Sequence, residues 1–332
     1  MRAARSIGLL TTLSLLLTFF TVPAEAAISI KIAIVYDLGG RGDHGINDSA
    51  AKGVDAIKKK YGLTALSVRE MVTNGTEGDR ESRLQFLASA NYNLVIAVGA
   101  SFSQAMSVVA VANPNTEFAL INDASVGNLN LSDMVFSNSD GAYLAGVLAG
   151  SATKSKKVGI IGPSSTSPYL LDFKSGVASV LPKAVVLSEF IDKEAGNAAR
   201  TLAAQGVDVI FSEWSSTSEV QDTVAAIFTK AHPVYLIGVN PDQYFLLDKT
   251  SQKILIGAVS KHIDVAVADV MNAALNGQSV IDVLNETVGI FGHMYTVKDG
   301  GESMALTTLG APYSIKVAAA VAKLKSGKVK AP

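Results

Sequence analysis

Polar side chains recur where apolar runs end in this 332-residue chain. Asp37 closes the run 32–36, Asp123 follows 118–121, Asp242 follows 234–239 and Lys261 follows 254–259. Asn47 opens the helical spacing that comes after Asp37, and Phe102 and Trp214 lie in loops of the same kind. Carboxylates, an amide and an ammonium facing a cleft suit a neutral ligand rich in hydroxyls and ring nitrogens, and an aromatic face covers a planar or pyranose ring. Each residue also has a plainer use. Asn47 can cap a helix with Ile46 and Ala51 as its staple, Asp123 and Asp242 can be turn residues, and Trp214 can fill an interior.

Sets that would do catalysis are thin. Gly40-Arg41-Gly42-Asp43-His44-Gly45 is a literal G-x-G-x-x-G between a strand and a helix, and a dinucleotide enzyme would seat a diphosphate on that helix N-terminus. Against this, the loop is long and Asp43 sets a carboxylate where the diphosphate would lie. There is no G-x-S-x-G elbow and no H-x-x-x-H pair. The histidines 44, 232, 262 and 293 are scattered, and only His44 shares the first loop with the candidate site. With no cysteine the chain has no thiolate nucleophile, no cysteine zinc site and no disulfide. The expectation is a binding protein, with no catalytic residue, no metal and no cofactor.

The elements that must position these groups alternate. Residues 31–53 read as strand, glycine-rich loop and helix, and in an open parallel sheet such a loop, at the carboxyl end of the strand, is where ligands sit. Further apolar runs at 65–69, 94–98, 118–121, 135–137, 158–161, 185–190, 207–211, 234–239 and 254–259 alternate with helical spacings. This predicts an α/β protein of two Rossmann-like lobes, joined at a hinge around a cleft. The expected division is 27–137 plus 262–288 for the first lobe, 138–261 plus 289–325 for the second, and a tail at 326–332. Chain crossings would fall near Ser137, Lys261 and Gly289. A last helix at 312–325 would bury Ile315, Ala318, Ala319 and Ala322.

Arg2 and Arg5, an apolar stretch over 7–22 and Ala24-Glu25-Ala26 read as a secretory signal peptide cut after Ala26. The absence of cysteine argues against lipidation, so a periplasmic protein that is not membrane-anchored is expected. Without residues 1–26, Lys and Arg number 26 and Asp and Glu 28, a net charge of about −2 with no basic block, which makes nucleic acid an unsuitable partner.

Several stretches together resemble the basic membrane protein family of bacterial substrate-binding proteins, which includes purine-nucleoside receptors of ABC transporters. They are Asp37 with the following Gly42-Asp43-His44-Gly45-Ile46-Asn47, LVIAVGASFSQAM from Leu94, FALINDAS from Phe118, GAYLAGVLAG from Gly141, IGVNPDQ from Ile237, VSKHIDVAV from Val259 and SGKVKAP from Ser326. The resemblance implies a type I periplasmic binding fold with three crossovers, a monomer, and an ABC permease as partner. It implies that Asp37, Asn47 and Asp123 hold a base while Asp242 and Lys261 take ribose hydroxyls. Two departures stand out. The family's stacking Phe is Ile46 here, and a glycine-rich turn of the second lobe is replaced by Glu213-Trp214-Ser215-Ser216-Thr217-Ser218, where Trp214 could stack and Glu213 could accept a hydrogen bond. A nucleoside-like ligand is expected, purine nucleosides foremost; a free base, a sugar, or a sensory rather than importing role are the alternatives.

Overall fold

The computed structural model describes residues 30–63, 67–162, 167–190, 195–213, 218–229, 231–280 and 291–329. The first half of the chain runs β1 (Ile32–Tyr36), α1 (Ile46–Tyr61), β2 (Val68–Val72), α2 (Glu77–Ser89), β3 (Leu94–Val98), α3 (Ser103–Ala112), β4 (Glu117–Ile121) and β5 (Leu131–Phe136). It continues with α4 (Ser139–Ala152), β6 (Lys157–Gly162), α5 (Pro168–Val180), β7 (Val185–Phe190), α6 (Ala195–Ala204), β8 (Val209–Ser212), α7 (Ser218–Ile227), β9 (Tyr235–Val239) and β10 (Leu255–Lys261). The remainder is α8 (Ile263–Leu275), β11 (Gly292–Tyr295), β12 (Glu302–Leu306) and α9 (Ser314–Lys325).

These strands make two six-stranded sheets, ordered β11-β5-β4-β3-β1-β2 and β12-β10-β9-β8-β6-β7. Every pairing is parallel except that of β10 with β12. Strands β1 and β3 are buried at every position, as apolar runs are when helices cover both faces of a sheet. One face of the first sheet packs Ile32, Ile34 and Ile96 against Val54 of α1 and Val267 of α8, and the other packs Ala33 and Val95 against Leu84 of α2 and Met106 of α3. The second sheet is covered in the same way, with Phe173 of α5 on one side and Leu202 of α6 on the other.

Helices α4 and α5 touch backbone to backbone. A Cβ on Gly176 would lie 2.0 Å from the Tyr143 carbonyl oxygen, and one on Gly146 would lie 2.2 Å from that of Phe173, so only glycine fits either side of this crossing.

Three sequence expectations shift. The third crossing was expected near Gly289, yet β11 pairs in parallel with β5 of the first sheet, and the chain passes to the second sheet between Tyr295 and Glu302. Strand β5 begins at Leu131 rather than 135, because buried Ser132 and Asp133 interrupt the apolar run that marks a strand. In α9 Ile315 is 82% exposed, and the buried stripe is Val317, Ala320 and Leu324; small alanines on every face let two different stripes fit the same helical period. Among the described residues no helix is long and apolar enough to cross a membrane.

Candidate functional site

The carboxyl ends of both sheets open onto one cleft of about 650 Å³. The first sheet contributes His44, Ile46 and Ser49 from the β1–α1 loop and α1, Gly99 and Ala100 after β3, and Asn122 after β4. The second contributes Asn138 and Ala142 at the start of α4, Tyr169 of α5, Phe211 and Glu213 at the end of β8, and Asn240 after β9. The crossing from β10 into α8, residues 259–264, closes one end. The volume suits a ligand of small-molecule size.

The polar lining follows from how strands end. Asn122, Asn138 and Asn240 have φ of 68°, 53° and 59°, in the left-handed region that asparagine tolerates better than other side-chain-bearing residues. A chain leaving a strand in this conformation turns sharply, and three amides are thereby set around the cavity.

Lys261 sits where the sheets meet. Its Nζ donates to Oδ1 of Asn122 at 3.1 Å, joining the end of β10 to the end of β4 across the cleft. Burial depresses its basicity, and the nearby Glu302 works against that depression. Glu302 is 2% exposed; its carboxylate accepts the Asn138 N–H at 2.8 Å and the Gly141 N–H at 3.1 Å, capping α4, and burial still pushes its pKa up to about 7. The β10–α8 crossing, residues 259–264, forms a strap between the sheets, and its His262 shares a hydrogen bond with the Ser303 hydroxyl at 2.8 Å.

Of the residues singled out from sequence, Ile46 and Lys261 line the cleft. Four other expected residues are used elsewhere. The Asp37 carboxylate receives Arg80 Nη2 at 2.8 Å, Arg80 Nε at 3.1 Å, the Thr73 hydroxyl at 2.6 Å and the Ser101 hydroxyl at 2.6 Å. Burial alone would raise its pKa, but the bonds from Arg80, Ser101 and Thr73 prevail and hold it well below the usual carboxylate range. Asn47 is 2% exposed and its amide reaches the carbonyls of Asp37 and Leu38, both at 3.5 Å. It is not the helix cap, since α1 starts after Gly45. Phe102 is fully buried in the apolar layer beneath α2 and α3, so it packs the lobe and does not cover a ligand. Asp123 accepts from the Ser103 hydroxyl at 2.9 Å, the Ser125 N–H at 2.8 Å and the Ser125 hydroxyl. Trp214 lies outside the described residues, as does the side chain of Asp242, whose backbone belongs to the 3-10 helix Pro241–Leu246.

Sequence reasoning passed over Asn122, Asn138, Tyr169 and Asn240. Asparagine at the last position before a loop was the available signal, and it sat one residue from Asp123 and two from Asp242. The glycine-rich loop is also accounted for. Asp43 accepts the N–H groups of Gly45, Asn47 and Asp48 at 2.8, 3.1 and 3.1 Å, and Asp48 accepts those of Gly42 and His44 at 2.6 and 3.0 Å. The helix N-terminus that a diphosphate would use is filled by this chain's own carboxylate. Among the described residues no cluster of three or more His, Asp or Glu is placed to hold a metal.

Comparison with known proteins gives a consistent set of likenesses. A family model described as ABC transporter substrate-binding protein PnrA-like matches residues 30–290. The ABC transporter nucleoside-binding protein BmpA of Lactococcus lactis is 25% identical over 321 residues, 91% of this chain and 89% of that one. The CD4+ T-cell-stimulating antigen of Listeria monocytogenes is 27% identical over 270 residues, 76% of each chain. Among solved structures, an ABC transporter solute-binding protein from Conexibacter woesei superposes with a TM-score of 0.68 at 19% identity, covering 91% of this chain and 98% of that one. One from Aeropyrum pernix gives 0.64 at 19%, covering 91% and 94%. At that identity the structural likeness establishes the fold, two α/β lobes of the periplasmic binding type.

Proposed function

The chain belongs to the family of PnrA-like ABC transporter substrate-binding proteins, and from that membership we propose that it is an exported receptor for a nucleoside-like solute, delivering it to an ABC permease without chemical change. The observation that carries the reading is the interlobe cleft of about 650 Å³, lined by three asparagine amides, two lysines and two carboxyl groups beside the rings of Tyr169 and Phe211. Amides supply donors and acceptors to hydroxyls and ring nitrogens alike, and each buried polar group left unmatched costs about 1–3 kcal/mol. Ligands that match the set are therefore selected over apolar ones of equal size. The similarity to the lactococcal nucleoside-binding protein supports the nucleoside class.

In this reading Asn122, Asn240 and Lys261 take hydroxyls near the strap, and Ile46 gives apolar cover from the first lobe. Phe102, Asp37, Asn47 and Asp123 hold the architecture behind them. The leader ends at Ala26, and the exported chain acts as a monomer free of the membrane.

A thermal-shift screen of residues 27–332, unfolded and refolded once to remove carried-over ligand, tests the proposal against purine and pyrimidine nucleosides, free bases and common sugars. A micromolar ligand at about a thousandfold excess stabilises by about 4 kcal/mol, a shift of several degrees for lobes of this size. A shift confined to nucleosides, and lost in Lys261→Met, supports the reading. A shift with sugars alone overturns the nucleoside class.

A further inference from the structure

The cleft is lined by two chemically different groups of residues. At the strap, Lys261 and Asn122 are bonded to each other and the Asn240 backbone N–H is fixed to the Val259 carbonyl at 2.9 Å, so the ammonium and two amides lie together. Glu213, the first residue after β8, also lines the cleft. Its backbone N–H is held by the Ile161 carbonyl at 2.9 Å, and its carboxyl group rests over Gly162, where a Cβ would come within 2.9 Å of Oε1. The Ser167 hydroxyl donates to Oε2 at 3.1 Å, while Oε1 is buried and has no partner. The rings of Tyr169 and Phe211 line the same wall.

A buried carboxyl oxygen with no donor is costly unless something supplies one. Among the described residues none does, and Glu213 lines the cleft, so a ligand group beside it can be that donor. The rings of Tyr169 and Phe211 suit the flat part of a ligand, while the strap groups suit hydroxyls. Resting on the nucleoside-receptor reading above, we propose that Glu213 is the specificity residue of the cleft, accepting a hydrogen bond from an amino or ring N–H group on the ligand's base, so that the receptor selects amino-bearing bases over counterparts lacking that donor.

The electrostatics agree with this geometry. Burial pushes Glu213 up to about 7, partly offset by the Ser167 bond, and its charge in turn helps burial raise the Tyr169 phenol. Tyr169 of α5 is the titratable group set against it; the cleft's other titratable groups are His44, Lys52, Lys261, His262 and Asp264. A ligand N–H favours the ionised carboxylate. Binding therefore releases a proton near neutrality, and affinity falls as pH drops through the carboxyl pKa.

The test is calorimetry on the ligand-stripped protein with two pairs, adenosine against purine riboside and guanosine against inosine, which differ by one amino group. We expect the amino member of at least one pair to bind roughly ten- to a hundredfold tighter, as for a charge-assisted bond. In Glu213→Ala the preference should fall to roughly threefold or less. Affinity for the amino member should weaken roughly tenfold from pH 8 to pH 6, and Glu213→Gln, which keeps the shape, should abolish that slope and the proton release. Equal affinities within both pairs in the wild type, or a preference and pH slope unchanged in the variants, overturn the assignment while leaving the receptor reading intact. If no nucleoside binds at all, the receptor reading itself fails and this inference with it.

Discussion

Asp37 separates two accounts of the first-lobe loop, and Asp37→Asn distinguishes them. The family resemblance would make it a ligand-holding carboxylate, whereas in the structure it is the acceptor that ties β1 to α2 through Arg80 and to the β2 and β3 loops through Thr73 and Ser101. The side chain is 20% exposed and that of Arg80 13%, so solvent screens the pair only in part. The carboxyl pKa falls from 3.8 to about 2, burial opposing and the three side-chain donors prevailing. At 1.36 kcal/mol per unit this is about 2 kcal/mol of folding free energy, in line with a charged hydrogen-bond pair. The sign is that of a depressed acid. Between the two pKa values the unfolded chain binds more protons, so the contribution is complete above pH 4 and disappears as pH falls through about 2.

Asn at position 37 keeps the shape and loses the charge. Urea unfolding at pH 7 should show a loss of about 2 kcal/mol, with a melting point roughly 5 °C lower, while ligand affinity stays within about twofold. Arg80→Met should cost a similar amount, and the double variant less than the sum, because both remove one interaction. An unchanged melting point together with a more than tenfold loss of affinity would refute the structural role and return Asp37 to the ligand.

Three further outcomes follow from burial. Phe102→Ala should destabilise by about 3–5 kcal/mol, since the ring is fully buried, yet leave affinity nearly unchanged in the fraction that folds; urea unfolding and calorimetry read the two separately. Gly176→Ala drives a methyl group to 2.0 Å from the Tyr143 carbonyl and should cost at least about 1–3 kcal/mol, read from the denaturation midpoint, because backbone must move to admit it. Glu302 has a pKa raised by burial from 4.5 to about 7, so the native state binds the extra proton and stability falls as pH rises between those values; Glu302→Gln should remove up to about 3 kcal/mol from the decline between pH 5 and pH 8, measured by urea unfolding at each pH.

The fold was legible because its signal is local. A short β-branched run such as Leu94–Val98, bounded by polar residues and a glycine turn, reads as a buried strand, and the spacing of Ala50, Val54 and Ile57 marks the inner face of α1 within one helix. The site was half legible for the opposite reason. Sequence shows that a residue stands at a strand end, but not what meets it there. The partner that claims Asp37 is 43 positions away, and the lysine that claims Asn122 is 139 away. Phe102 belongs to a loop in sequence and to the core in space, because the 3-10 turn Ala100–Phe102 swings its ring under α2 and α3. Glu213 was visible as a departure from the family pattern; its unpartnered oxygen was not.

The asparagines show how backbone demand and ligand chemistry converge on one residue type. Asn240 has φ 59°, and among the described residues no side-chain partner holds its amide, which faces a cavity of ligand size. If the residue served only to turn the chain, glycine would serve as well or better, because it adopts this conformation without the cost of a Cβ. If it served only the ligand, strain would be irrelevant and any amide-bearing residue of ordinary conformation would do. Two substitutions resolve these roles. Asn240→Gly should leave the melting point within a degree or two while weakening ligand binding by about 1 kcal/mol, or roughly fivefold. Asn240→Ala should lose the same affinity and, in addition, about 1–2 kcal/mol of stability, because alanine takes the left-handed conformation less readily than asparagine or glycine. Equal affinity in the wild type and the glycine variant would leave Asn240 as a turn residue alone, and would mean that β9 contributes to the cleft through its backbone path and not through its chemistry.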